Sequence, residues 1–240
     1  MARRPSGDPP CYPIAHPVSY RDAGSRPNGP WASPVDCAPM PPVTAQPSSC
    51  RRLGVFGGTF DPPHVGHLVT AVNVGHALQL DEVLMVVANR PWQKEADRMV
   101  TPADDRLAMV QAATAGVDGV SACALEIERG GVSYTADTLA ALHEWYPDAQ
   151  LFTIVGDDAA AGIETWERAD DVAASSTLVV VDRPGQHVAL PQRFAWLRVE
   201  VPRLEVSSTD LRARCRDGRP LDFLVPDAVR RVIEQRGLYR

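Results

Sequence analysis

From residue 51 onward, short and mostly apolar runs alternate with stretches that repeat apolar residues every three or four positions. The runs are Leu53–Phe56, Glu82–Ala88, a weaker Val120–Ala124, Leu151–Val155, Thr177–Val181 and Leu197–Val201. Most are short and near-continuous in apolar residues, as a strand buried on both sides requires. The helical patterns run from about His64 to Gln79, Thr101 to Ala115, Thr135 to Trp145 and Glu167 to Ala174. Two more, Thr209–Arg216 and Pro226–Arg236, close the chain. Pro102 is well placed at an early helical position, where its missing N–H costs nothing. Strand and helix in alternation predict an α/β fold with a doubly wound parallel sheet. Ligands of such sheets bind beyond the carboxyl ends of the strands, which directs attention to the loops after Phe56, Ala88, Val155, Val181 and Val201.

Residues 1–50 break this pattern. They hold twelve of the 22 prolines, from Pro5 to Pro47, with scattered Ser, Gly and Arg and no period. Such a composition buries too little apolar surface to offset its ordering entropy, so a disordered extension is expected, with one domain over residues 51–240. The net charge of −6 argues against a nucleic-acid binder or a basic membrane-surface protein, so any phosphate recognition must be local. No apolar run approaches a membrane span, and prolines interrupt the N-terminus where a secretory signal needs apolar residues, which points to the cytoplasm. The five cysteines are odd in number and none pairs as C-x-x-C, which favours free thiols over a disulfide framework or zinc site.

The segment Gly57–Leu68 reads G-G-T-F-D-P-P-H-V-G-H-L at a strand-to-helix junction. Gly57 and Gly58 are expected to allow close approach of a ligand and dihedrals closed to other residues. Asp61 is a candidate N-cap, with Pro62 at the first helical position. His64 and His67 then share one face of the first turn, with Gly66 leaving room beside them. A helix N-terminus carries unpaired N–H groups and partial positive charge, so with two imidazoles it forms an anion site. No G-K-[ST] follows, so it is not a Walker A loop, and the spacing is not that of a zincin.

A second junction, Val206–Arg212, reads V-S-S-T-D-L-R. Ser207, Ser208 and Thr209 at a helix start read either as caps or, with Arg212 one turn in, as a phosphate site. Between the two lie smaller signals. Lys94, in N-R-P-W-Q-K, follows the second strand; alone it reads as a solvated lysine. Ser133-Tyr134-Thr135 precedes a helix and admits a capping explanation. Gly156, Asp157 and Asp158 end a strand, where an Asp takes ribose hydroxyls or caps a helix. Trp166 reads as core or as a stacking platform.

The G-G-T-F-D-P segment with H-x-G-H resembles the nucleotidyltransferases related in fold to class I aminoacyl-tRNA synthetases, and V-S-S-T-D-L-R is similar to their I-S-S-T-x-x-R element. The combination of R-x-G-x-S-Y-T-x-D-T-L, G-x-D, the later Trp, P-W-Q-K and the closing R-G-L-Y resembles the bacterial nicotinate-nucleotide adenylyltransferases from about Leu53 to Tyr239. The resemblance implies a Rossmann-like domain that joins nicotinate mononucleotide to the AMP part of ATP and releases pyrophosphate. It implies that Gly57, Gly58, Thr59, Phe60, His64 and His67 bind ATP, Thr59 also helping to place the attacking group. Ser207, Ser208, Thr209 and Arg212 would hold its outer phosphates, Gly156 and Asp158 the adenosine ribose, and Arg183 would lie near adenine. Tyr134, Thr135 and Trp166 would hold the nicotinate nucleotide, and Lys94 would reach phosphate. Mg²⁺ would ride on the nucleotide phosphates without protein ligands. ATP and nicotinate mononucleotide are the implied partners, with no nucleic acid or membrane, and a homo-oligomer stays open. Two features depart from the family: Asp157, where an uncharged residue is usual, and the long proline-rich N-terminus. Phosphopantetheine adenylyltransferase shares the first motif but is shorter and lacks the S-Y-T and late Trp segments, and a regulatory binder without catalysis is disfavoured by the presence of His64, His67, Lys94 and Arg212.

Overall fold

The computed structural model describes residues 51–91, 100–182, 188–202 and 204–240. The expected disordered extension over 1–50, Lys94 and Arg183 lie outside the described residues. Six strands, β1 Arg52–Gly58, β2 Glu82–Val87, β3 Val120–Cys123, β4 Gln150–Gly156, β5 Thr177–Asp182 and β6 Trp196–Glu200, form one sheet in the order β3-β2-β1-β4-β5-β6. Every pairing is parallel, with Val55 opposite Leu84 on one side and Thr153 on the other. The strand order reverses between β1 and β4, so their carboxyl ends open a crevice at the switch point.

Alternate residues of each strand feed opposite faces. Leu53, Val55, Leu84, Val86, Leu151 and Leu178 pack on α4 (Thr135–Trp145) and α6 (Ala169–Ser175) through Leu139, Leu142 and Val172. Val83, Met85, Phe152, Ile154 and Val179 pack on α1 (Val65–Ala77) and α2 (Ala103–Thr114) through Ala71, Val74 and Val110. Side chains of this kind contribute about 1.5–3 kcal/mol each when fully buried, which is why the sheet needs both helical layers. The doubly wound expectation therefore holds strand by strand.

A third apolar cluster fixes the C-terminal helices α7 (Ser208–Asp217) and α8 (Asp227–Arg236) to α2: Leu211, Leu221, Val225, Val229 and Ile233 meet Met109 and Ala113. This packing carries the second motif, distant in sequence, to the sheet edge that holds the first. Two helices, α3 (Leu125–Arg129) and α5 (Asp157–Ala161), and a 3-10 turn at Ile163–Thr165 were not legible as periodic segments. Each spans less than two turns, too short for a 3.6-residue period to repeat. Among the described residues no helix is long and apolar enough to cross a membrane.

Candidate active site

Two cavities adjoin at the carboxyl ends of β1 and β4. The first, about 470 Å³, is lined by Gly57, Gly58 and Thr59 from β1 and its turn, by Tyr134 and Thr135, and by Trp166. The second, about 310 Å³, is lined by His64, Gly66, His67, Asp157, Val181 and Leu204. Phe56 and Gly156 belong to the walls of both.

The turn after β1 is built differently from the sequence expectation. Gly57 and Gly58 lie in strand conformation; the left-handed residue is Phe60, with φ 49°. What Gly58 supplies is space: a Cβ there would lie 2.6 Å from Phe60 Cζ, inside the ring's volume, whereas above Gly57 nothing lies within 4 Å and the strand end forms bare cavity floor. Asp61 is not the N-cap and Pro62 is not the first helical residue. The N-cap is His64 and α1 begins at Val65. Two consecutive prolines account for the shift, because a residue that precedes proline avoids the helical region. Asp61 is instead buried and accepts a hydrogen bond from the Tyr239 hydroxyl at 2.7 Å.

The two imidazoles stack, with ring centroids 3.7 Å apart and planes 26° from parallel. The backbone N–H of His64 donates to His67 Nδ1 at 3.1 Å, so His67 Nδ1 is an acceptor and the ring proton resides on Nε2. The Phe60 ring meets His67 edge-on at 5.0 Å and fixes its plane. Burial holds the His64 imidazole down at about pKa 4, so it is neutral at physiological pH. Stacking agrees with that state, since two imidazolium rings at van der Waals distance would repel.

The second motif docks on the first. Ser208 Oγ donates to Pro62 O at 2.8 Å, and Arg212 Nη1 donates to Asp61 O at 2.7 Å. Val206 Cγ1 closes on Gly66 from the far side. The imidazole pair and the late guanidinium therefore stand on one side of the molecule, around one turn. Both readings of V-S-S-T-D contribute: Ser207 is the N-cap of α7 and accepts from Asp210 N at 3.2 Å, while Ser208 braces the first motif and Thr209 Oγ1 accepts from Arg212 Nη2 at 3.1 Å.

Around the first cavity, Tyr134 is the N-cap residue of α4 and makes no side-chain cap bond. The capping explanation for Ser133-Tyr134-Thr135 fails, because Ser133 Oγ accepts from Asn89 N at 2.8 Å instead. Trp166 is both core and wall: it packs against the cluster of Leu139 and Ile163 and lines the cavity. Gly156 is the N-cap of α5, so neither Asp157 nor Asp158 caps it. Asp158 borders the first cavity and the half-buried Asp157 the second, which excludes a purely solvent-facing place for the extra carboxylate. Sequence reasoning passed over Arg106, Glu126 and Thr138. Glu126 and Thr138 are buried on the first cavity's wall and share a 2.5 Å hydrogen bond. Arg106 is fully buried behind the turn. Among the described residues no three His, Cys, Asp or Glu side chains group as a metal site would require.

A six-stranded parallel sheet with an imidazole pair and a second basic helix start at its switch point defines a nucleotidyltransferase. The cytidylyltransferase-like family model matches residues 55–214. A probable nicotinate-nucleotide adenylyltransferase of Corynebacterium kroppenstedtii is 46% identical over 192 residues, covering 78% of this chain and 90% of its own. One of Streptomyces coelicolor is 46% identical over 188 residues, covering 77% and 99%. The chain belongs to the bacterial nicotinate-nucleotide adenylyltransferase family. A solved Plasmodium falciparum nicotinic acid mononucleotide adenylyltransferase, complexed with NaAD, shares the fold with a TM-score of 0.65 at 17% identity, covering 79% of this chain and 97% of that one.

Proposed function

We propose that this chain transfers the adenylyl group of ATP to nicotinate mononucleotide, forming nicotinate adenine dinucleotide and pyrophosphate. The observation that carries the reading is the pair of adjoining cavities that share Gly156, one lined by the imidazole pair and the other by Tyr134, Thr135 and Trp166. Two nucleotides seated there would meet phosphate to phosphate. The relatives' names supply the identity of the second nucleotide.

An oxygen of the mononucleotide phosphate attacks the α-phosphorus of ATP in line. The new P–O bond forms as the bond to the β-phosphate oxygen breaks, and pyrophosphate leaves. No protein nucleophile takes part, so the chain's work is alignment and charge neutralisation. His67 donates from Nε2 to the α-phosphate, where charge develops. His64, neutral through burial, the N-terminus of α7 and Arg212 hold the outer phosphates. Thr135 and Trp166 seat the nicotinate ring, the indole by stacking. Gly156, with Asp157 and Asp158 on either side of the seam, takes ribose hydroxyls. Lys94 and Arg183 keep the phosphate and adenine roles that the family resemblance implies.

The walls carry the imidazole pair and backbone N–H groups, and among the described residues their carboxylates Glu126, Asp157, Asp158 and Glu167 do not group as a metal cage. That donor set fits a Mg²⁺ that takes its ligands from phosphate oxygens and water, as this hard cation prefers. Bound there, the metal would neutralise triphosphate charge. The test is pyrophosphate release from ATP with nicotinate mononucleotide, nicotinamide mononucleotide and phosphopantetheine in separate reactions. Turnover with nicotinate mononucleotide at the highest kcat/KM is expected. Turnover only with phosphopantetheine, or with none of the three, overturns the reading.

A further inference from the structure

The reaction needs two anions held in one relative position, and the structure shows what fixes the two seats against each other. Arg106 stands one turn into α2 and is 1% exposed. Its Nη1 donates to Thr59 O at 2.9 Å, its Nη2 to Asn89 O at 3.0 Å and its Nε to Thr101 O at 2.8 Å. One planar guanidinium thus spans the turn after β1, the segment after β2 and the entry to α2. A lysine, with one compact ammonium, has no fork with which to reproduce this.

The first of these bonds acts on the phosphate turn. The Thr59–Phe60 peptide is trans, so fixing the Thr59 carbonyl toward Arg106 turns the Phe60 N–H the opposite way. Phe60 itself sits at φ 49°, a conformation that costs an aromatic residue energy and persists only where its surroundings impose it. Its ring sets the plane of His67. The second bond acts on the other seat. Asn89, whose carbonyl Arg106 holds, donates from its backbone N–H to Ser133 Oγ and from its amide to Gly131 O, both at 2.8 Å. Ser133 N in turn donates to Arg90 O at 3.1 Å. Ser133 immediately precedes Tyr134 and Thr135, which line the first cavity.

We propose that Arg106 is a positioning residue that sets the distance between the two nucleotide seats: its hold on the Thr59 carbonyl reaches the adenylyl side by way of Phe60 and the His67 ring, and its hold on Asn89 reaches the mononucleotide side through Ser133. The proposal rests on the adenylyltransferase reading. Arg106 lines neither cavity. Its removal leaves each nucleotide able to bind but lets the reacting atoms separate, and a misplacement of about 1 Å costs on the order of 10²-fold in rate.

The test uses Arg106→Lys, which keeps a buried cation, and Arg106→Met. Active sites are counted by stoichiometric binding of a non-transferring ATP analogue, at a temperature well below each variant's melting point. Dissociation constants of that analogue and of nicotinate mononucleotide are measured separately, beside kcat. The expected result for the folded variants is a kcat per counted site lower by about 10²-fold, with both dissociation constants within about threefold of wild type. A kcat per site within twofold of wild type overturns the proposal. So does a loss of both affinities in step with kcat, which makes Arg106 a support of the seats themselves. If neither variant folds, Arg106 is a folding residue and the proposal also fails. A wild-type protein that makes no dinucleotide would refute the underlying reading instead, which keeps the two failures apart.

Discussion

Gly66→Ala is a small change at the point where both motifs touch. A Cβ on Gly66 would lie 3.0 Å from His64 Nδ1, 3.1 Å from its Cε1 and 3.2 Å from Val206 Cγ1. All three distances are shorter than relaxed van der Waals contact, so neighbours must give by a few tenths of an ångström. The His64 ring has little room, because His67 stacks on it at 3.7 Å. Val206 leads into α7, which Ser208 and Arg212 tie back to the same turn. Overpacking of this kind costs about 1–3 kcal/mol. Alanine returns about 0.5–1 kcal/mol as a better helix former than glycine. The net loss is about 0–2.5 kcal/mol, or at most ~10 °C in melting temperature for a domain of this size. Activity should suffer more, because the displaced group is the imidazole stack; a fall in kcat of about 10- to 100-fold is expected. Pyrophosphate release at 25 °C and a thermal melt measure the two effects. Gly75→Ala is the control, on the same helix, where the nearest atom to the new Cβ is Val83 Cγ2 at 3.4 Å, an ordinary contact. It should raise stability slightly and leave kcat unchanged. If Gly66→Ala keeps kcat within twofold of wild type, the crowding of His64 by Gly66 is irrelevant to catalysis and the reasoning is wrong.

Removing the His67 ring by His67→Ala should lower turnover on the order of 10²–10³-fold with little change in the melting temperature, read by dinucleotide formation and circular dichroism. The folded pKa of His64, about 4, lies below its unfolded value of 6.5, so the unfolded chain binds the extra proton first as pH falls. Stability from this group is intact above pH 6.5 and is lost between 6.5 and 4, about 2 kcal/mol being gone by pH 5; urea midpoints of wild type and His64→Gln at pH 7.5 and 5 should show the wild type losing more. Tyr239→Phe leaves the buried Asp61 carboxylate without a 2.7 Å donor and should cost about 1–3 kcal/mol in urea unfolding. An unchanged midpoint would mean that water replaces the hydroxyl.

Much of this fold could be read before any coordinates. Runs such as Leu151–Val155 are apolar on both faces, and only a strand covered twice uses that pattern. His64 and His67 were equally legible, because their side chains carry the chemistry and their spacing places them on one turn. The start of α1 was not. Asp61 has the chemistry of a cap, but its carboxylate is taken by Tyr239, 178 residues away, a pairing that no local pattern announces. Arg106 was invisible for a related reason: it donates to backbone carbonyls of three loops, and a carbonyl leaves no mark in a sequence. Ser133 looked like a cap because serine before a helix commonly is one; a backbone N–H from a neighbouring strand end claimed it first. The left-handed residue was sought at Gly57 or Gly58 and lies at Phe60, since the glycines are used for room rather than for dihedral freedom.

The central claim is that both nucleotides meet at one site and that the adenylyl group crosses between them in a single displacement. ATP labelled at the α-phosphorus, incubated with nicotinate mononucleotide and the purified chain, tests it directly. The account predicts that the label appears in the dinucleotide in equal molar amount to unlabelled pyrophosphate, with none on the protein. Label on the protein, or pyrophosphate without a labelled dinucleotide, would contradict it.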